Sequence, residues 1–481
     1  MTGIESNRDL ERLRDSIEGA WEIAHEFGLD PFPTHFELVP AAIMYEFASY
    51  GLPGRFSHWT HGKAYYRQKM QYDLGLSKIY EMVVNTNPSY AFLMEMNDML
   101  QNTFVAAHVF GHTDFFKNNA YFQHTSRRMI DKVSIHAERI AKYEFDHGKQ
   151  EVERFLDAAL SIQEHIDYNL LLHHDQESKE SKFVKQSTDY DDLWELDTRL
   201  KQATEEHEER ANKPVKFPEK PEKDILLFLM QHSPHLETWQ RDIIEIVRSE
   251  MLYFFPQMQT KVMNEGWASI WHSRIMRELG DRSVITDSET IEFAQLHSGV
   301  LSPSKTSLNP YYIGFKVFED IEQRWNTPNK EEQDKFGRKP GAGREKIFEV
   351  RELDNDVSFL RNYLTEDLIK DLDLYLYKKE GDEWVVVEKN WQKVRDSIVG
   401  SLTNFGYPYL VVDNGDYRGN RELYIKHMHE GQDLDLNYAE KTLQHVYVLW
   451  GRPVHLETIF DGKRILLSYD GERSSKSTLE K

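Results

Sequence analysis

The sequence contains no cysteine. That absence excludes disulfides, thiolate metal sites and a cysteine nucleophile together, so any metal must be held by His, Asp, Glu or backbone oxygen. No run of about 18 apolar residues occurs, and no membrane span is expected. The opening stretch MTGIESNRDLERLRDSIEGAWEIAHEFG is charged and lacks a secretory apolar segment, which makes the cytoplasm the expected location. Basic charge is in deficit, with 59 Lys and Arg against 81 Asp and Glu and a formal net charge of −22. General binding to a phosphate backbone needs clustered cations, so no nucleic-acid partner is expected. A GxxxxGK[ST] phosphate loop is also missing. Its nearest imitation, GRKPGAGREK at 337–346, reads as a flexible linker.

What is present is an ordinary globular composition, 40% hydrophobic and 12% aromatic over 481 residues, long enough for two to four domains. FELVPAAIMYEFASYG and EVERFLDAALSIQEHI carry apolar residues at three- and four-residue spacing, the mark of amphipathic helices, and DPFPTHFE offers start signals before the first. Residues 173–224 are crowded with charge and read as an exposed excursion. Helical periodicity resumes through DILLFLMQHSPHLETWQRDIIEIVRSEMLYFFPQ and VMNEGWASIWHSRIMRELG. Beyond about residue 340 the pattern turns β-rich. DLYLYKKEGDEWVVVEK holds two runs around Gly-Asp, while YPYLVVDNGDYRGNRELYIKHMH and HVYVLWGRPVHLETIFDGKRILLSYDG contain Asn-Gly and Asp-Gly turn signals. The expected fold is α+β: a large mainly helical body over 1–336, a linker at 337–346, and a smaller α+β domain over 347–481.

The stretch AHVFGHTDFFKNN, 107–119, sets His108 and His112 four residues apart. On a helix they lie roughly 40° apart and project from one face, as two imidazoles on one metal would. Among 21 histidines about one such pair is expected by chance, so the spacing alone decides nothing. NEGWASIWH, 264–272, adds Glu265 and His272 nearly eclipsed on a second helix, with Gly266 allowing close approach of another backbone. The bland alternative pairs Glu265 with a nearby cation and packs His272 in the core. A third stretch, FAQLHSGVLSPSKTSLNPYYIG, places His297 before an Asn309-Pro310-Tyr311 turn that resembles the His and Tyr of some zinc oligopeptidases. Asn309 and Pro310 also suffice as plain helix-start chemistry. In the HExxH motif the residue after the first His is the general base, and here that residue is Val109, which takes no proton. The pattern therefore supports a metal site better than it supports peptidase chemistry.

These strings, together with ANKPVKFPEKPEKDILLFLMQ, FLDAALSIQEHID and YDDLWELD, resemble the SpoVR family, stage V sporulation protein R, over about residues 10–470. The family's motif positions carry over to His108, His112, Asp114 and Asn118, then to Asn264, Glu265, Trp267 and His272, then to His297, Asn309 and Tyr311. The resemblance implies a role in assembly of the spore cortex, a modified peptidoglycan. It also implies a broader stress or envelope role alongside a PrkA-type serine kinase and a von Willebrand A-like protein.

Two functions follow as expectations. In one, a metal-dependent hydrolase or amidase acts on a peptide or peptidoglycan precursor. His108, His112 and Glu265 hold Zn²⁺ or a similar divalent ion, with His272 a possible fourth ligand. His297 and Tyr311 steady the oxyanion, and Asp114 is a candidate base. In the other, the chain is a non-enzymatic assembly factor and the His/Glu cluster is structural. A closed four-ligand sphere favours the second, because catalysis needs an open coordination position.

Overall fold

The computed structural model describes residues 7–73, 81–170, 217–303, 308–381 and 383–479. The fold is α+β. Ten strands form three sheets among the described residues: β1 (Thr34–Val39), β2 (Met82–Val84) and β3 (Ser89–Met94) in one, β4 (Leu376–Glu380) and β5 (Glu383–Glu388) in another, and β6 (Leu410–Tyr417), β7 (Glu422–His427), β8 (Val454–Phe460), β9 (Lys463–Tyr469) and β10 (Ser474–Thr478) in the third. No described helix is long and apolar enough to cross a membrane. Most of the charged stretch expected as an excursion, 173–216, lies outside the described residues.

The chain packs as two units, Met1–Ala141 with Tyr253–Gly406, and Lys142–Leu252 with Tyr407–Lys481. This partition differs from the expected break at 337–346. Helices Gly343–Leu353 and Asp356–Tyr363, which the expectation placed in the C-terminal domain, bury Ile347, Val350, Phe359 and Leu360 in the core of the first unit. The supposed linker is tied down. The Arg338 guanidinium lies 3.8 Å above the Trp325 ring, and the Gly343 N–H donates to Asn326 Oδ1 at 2.9 Å. A Cβ on Gly343 would come 2.2 Å from the Glu322 carbonyl oxygen, so this glycine serves close packing and not flexibility.

In the first unit three helices cross at the centre. The helix Met99–Asn118, here the His helix, opens on a capping box between Asp98 and Gln101. From Asn102 to Phe116 it is buried on every face, which explains why its sequence shows no amphipathic stripe. The Glu helix, Lys261–Asp281, lies against it, and the Tyr helix, Pro310–Asn326, lies against the Glu helix. Three glycines set the spacing. A Cβ on Gly111 would lie 2.6 Å from Ala268 Cα, and one on Gly266 would lie 2.3 Å from the Gly314 carbonyl carbon. Gly111 stands between the two histidines and Gly266 directly follows Glu265, so the close crossings hold the motif residues themselves.

The Glu helix begins without help from its own N-cap, since Thr260 makes no side-chain capping bond. Its first N–H groups are met from far along the chain: Asp356 accepts from Val262 and Met263, both at 2.9 Å. Asp356→Ala is expected to cost about 1–3 kcal/mol of stability, read as a lower urea midpoint, because it leaves two buried donors unmet.

One helix expectation changes. FELV, read as part of a helix, is β1, whose residues alternate between half-buried and exposed, and the helix begins only after Pro40 at Ala41–Tyr50. β1 runs parallel to β3, and β2 runs antiparallel to β3 with Met82 opposite Phe92.

In the second unit a five-stranded sheet runs in the order β10-β9-β8-β7-β6. β7 and β8 are parallel, so a crossover is required, and the helix Leu436–Trp450 supplies it with Leu443, Val446, Leu449 and Trp450 buried. Asp461-Gly462 makes the β8–β9 turn, with φ of 49° and 71°. Asn414-Gly415, the other turn signal, lies inside β6 at a register shift. A Cβ on Gly415 would come 2.7 Å from the Phe228 ring, so that glycine marks close approach.

Candidate metal centre

The His helix presents His108 and His112 on one face with ring centroids 4.5 Å apart. The Glu helix delivers Glu265 to the same point. A fourth group arrives from outside the helices: Glu81, the residue before β2, held in place by the pairing of β2 with β3. His108 Nε2 lies 3.2 Å from Glu81 Oε1 and 3.5 Å from Glu265 Oε2. His112 Nε2 lies 3.5 and 3.6 Å from the same two oxygens. A tetrahedral ion about 2.0–2.2 Å from each donor requires donor–donor edges of roughly 3.3–3.6 Å. Three of the four edges fall in that range, and the fourth, 3.2 Å, is about a tenth of an ångström shorter.

The four donor atoms all lie within 4.8 Å of one another. His108 Nε2 and Glu265 Oε2 are buried and make no hydrogen bond among the described residues. Unpaired polar atoms in a protein interior are costly unless something else satisfies them, and a cation would satisfy both. Among the described residues this is the one group of His, Asp and Glu side chains so placed.

Behind the donors stands a second set of contacts. His112 Nδ1–H donates to Asn264 Oδ1 at 2.9 Å. His108 Nδ1 meets His272 Nδ1 at 2.7 Å, and His272 Nε2 meets His297 Nδ1 at 2.8 Å. If His108 Nε2 offers its lone pair to a cation, the tautomers along this chain are forced. His108 Nδ1–H donates to His272, and His272 Nε2–H donates to His297. A neutral His272 is needed, and burial first, then the facing His108, hold its pKa well below the usual value. His272 is thus not placed as a ligand. The corner assigned to it is taken by Glu81, and His272 orients His108 from behind. His272→Phe keeps an aromatic ring against Phe104 and Phe293 but removes the acceptor. Metal affinity is expected to fall about 10- to 100-fold, measured by competition with a chromophoric chelator.

The remaining motif residues separate into roles. Tyr311 stacks on His108 at 5.9 Å, and the charge of Glu265, then burial, push its ionisation well above the usual range. Asn309 aims it, accepting the N–H groups of Tyr311 and Tyr312 while donating to the carbonyls of Val300 and Ser302. Asn309 is thus the N-cap of the helix that carries Tyr311. His297 reaches the centre only through His272. Burial, then Arg277, depress its pKa to about 4. Asp114 sits two residues past His112, which on a helix turns it to the opposite side. There it accepts from Trp267 Nε1 and the Asp30 N–H, both at 2.8 Å, and from Asn118. It is a buried structural carboxyl and not a base beside the donors. Val109 is core, as its position on the helix demands.

Residues 7–407 match the family model for the SpoVR like protein, and residues 408–461 match that for the SpoVR-like C-terminal domain. The chain belongs to the SpoVR family. This SpoVR chain is also 29% identical to the uncharacterized protein YcgB of Escherichia coli strain K12, over 95% of its own length and 96% of that protein's. No solved structure matches it. Of the four donors in this SpoVR chain, Glu81 escaped the sequence reading. It stands alone before an apolar run, with no histidine or carboxylate at helical spacing to mark it.

Proposed function

We propose that this SpoVR chain binds one divalent cation through His108, His112, Glu265 and Glu81, and that the loaded protein acts in the cytoplasm in envelope or spore-cortex assembly. The observation that supports the cation is the set of four donor–donor edges of 3.2–3.6 Å, with two buried donors that find no partner outside the group. Two imidazoles, two carboxylates and tetrahedral edges suit Zn²⁺. Four protein donors close such a sphere, which favours the assembly-factor reading over the amidase one. On that reading the ion ties the two helices to Glu81, the residue that leads into β2. The resemblance supplies the partners, a PrkA-type serine kinase and a von Willebrand A-like protein.

The hydrolase or amidase reading retains one supporting observation, Tyr311 stacked beside the donors. A bound cation would polarise a carbonyl and acidify a coordinated water. Neither Val109 nor Asp114 provides a base, so that reading needs one donor to give way. Elemental analysis of the purified chain after reconstitution and dialysis tests the cation: one equivalent is expected, and less than about a tenth would refute it.

Metal-free protein holds a proton where the cation would sit. Burial alone would depress His108, but the charges of Glu81 and Glu265 outweigh it and raise its pKa to about 10. The cation must displace that proton, so affinity is expected to rise about tenfold per pH unit between pH 6 and 9. Release of about one proton per ion into a weakly buffered indicator solution checks this, and uptake without release would contradict it.

A further inference from the structure

We infer that Glu81 is an exchangeable ligand, displaced by an incoming oxyanion while the other three donors keep the ion. The inference rests on the cation reading above. Three of the donors are fixed from behind. His108 is backed by His272 and His112 by Asn264, and Glu265 precedes a glycine locked against Gly314. All three belong to helices whose crossings leave no room to shift.

Glu81 differs on each count. It lies outside any helix or strand, and among the described residues no donor other than the two imidazoles approaches its carboxylate. Its side chain is 21% exposed, against 17% for Glu265 and 4–5% for the histidines. Solvent therefore reaches the centre past Glu81 more readily than past the histidines.

Charge selects the class of ligand. Two neutral imidazoles and two carboxylates balance a dication, and departure of Glu81 leaves one positive charge in a largely buried site. A carboxylate or phosphate oxygen restores the balance, whereas a neutral ligand does not. Exchange of this kind also opens the position that metal-dependent chemistry requires.

The test uses the full chain loaded with Co²⁺, whose visible absorption reports coordination. Glu81→Ala and Glu81→Gln, the second keeping the side-chain shape, are compared with wild type and with Glu265→Ala. Both Glu81 variants are expected to hold one Co²⁺ with affinity lowered about 10- to 100-fold, while Glu265→Ala loses more. Acetate and phosphate, titrated separately, should shift the spectrum of the Glu81 variants saturably, and acetamide should not. The tighter of the two anions identifies the oxyanion. Wild type should reach the same final spectrum at higher anion concentration. Co²⁺ held by wild type but by neither Glu81 variant would overturn the exchange, as would spectra unmoved by either anion. Wild type that takes up no Co²⁺ would instead overturn the cation reading, and the exchange with it.

Discussion

His112→Ala is expected to abolish stoichiometric metal retention, lowering affinity by at least about a hundredfold. Structural zinc sites supply about 10–16 kcal/mol, so one donor of four carries about 3 kcal/mol, a factor of more than 100 in affinity. Glu265→Ala should do at least as much, because it also removes a charge that offsets the dication. Both His112 and Glu265 sit on helices held mainly by other residues. The two helices cross closely at Gly111, and the Glu helix is also held by Trp267, Trp271 and its crossing at Gly266. The variants should therefore fold, showing wild-type far-ultraviolet circular dichroism while retaining no ion after dialysis. Added Zn²⁺ stabilises whatever binds it in the folded state, so it should raise the thermal midpoint of wild type and leave that of the variants unchanged. Equal midpoint shifts in all three proteins would place the metal elsewhere.

Gly266→Ala is expected to be among the most damaging single methyl additions in the first unit. Its new Cβ would lie 2.3 Å from the Gly314 carbonyl carbon and 2.4 Å from its Cα, and both are backbone atoms with no rotamer to yield. The Glu and Tyr helices must part, giving up contacts around Trp267 and Phe318, whose rings lie 5.3 Å apart. A cost of about 3 kcal/mol or more follows from overpacking of a close-packed core. Glu265 and Tyr311 ride on those helices, so metal affinity should fall together with stability. Gly400→Ala is the control: a Cβ on that helical glycine would meet nothing within 4 Å, and alanine there should stabilise by about 0.5–1 kcal/mol. A Gly266→Ala protein with unchanged urea midpoint and metal content would refute the role given to this crossing.

Several of these features were legible in the chain itself. A chain without cysteine can offer a metal only nitrogen and oxygen, and four-residue spacing on a helix places two imidazoles on one face. Glycine next to Glu265 signalled close approach, and Gly314 proved to be what approaches. Asp461-Gly462 marked its hairpin because positive φ at both residues is a local requirement that local sequence can state. Asn414-Gly415 carried the same local signal and failed as a turn, since what lies against Gly415 is Phe228, nearly 190 positions earlier.

The rest belonged to tertiary structure. Periodicity reports which face of an element is buried, but not which other element covers it. For that reason Gly343–Leu353 and Asp356–Tyr363 could be read as the start of a separate domain, though their apolar faces complete the core around Trp267. It is also why His272 could be taken for a ligand when it supports one, and Asp114 for a base when Trp267, Asp30 and Asn118 occupy it. Glu81 is the clearest case. No spacing links it to residues 108, 112 and 265, and only the pairing of β2 with β3 beside the His helix brings its carboxylate within 3.2 Å of His108. Sequence determined which donor atoms the protein possesses; convergence of four of them on one point depended on contacts between segments far apart in the chain, which no local pattern encodes.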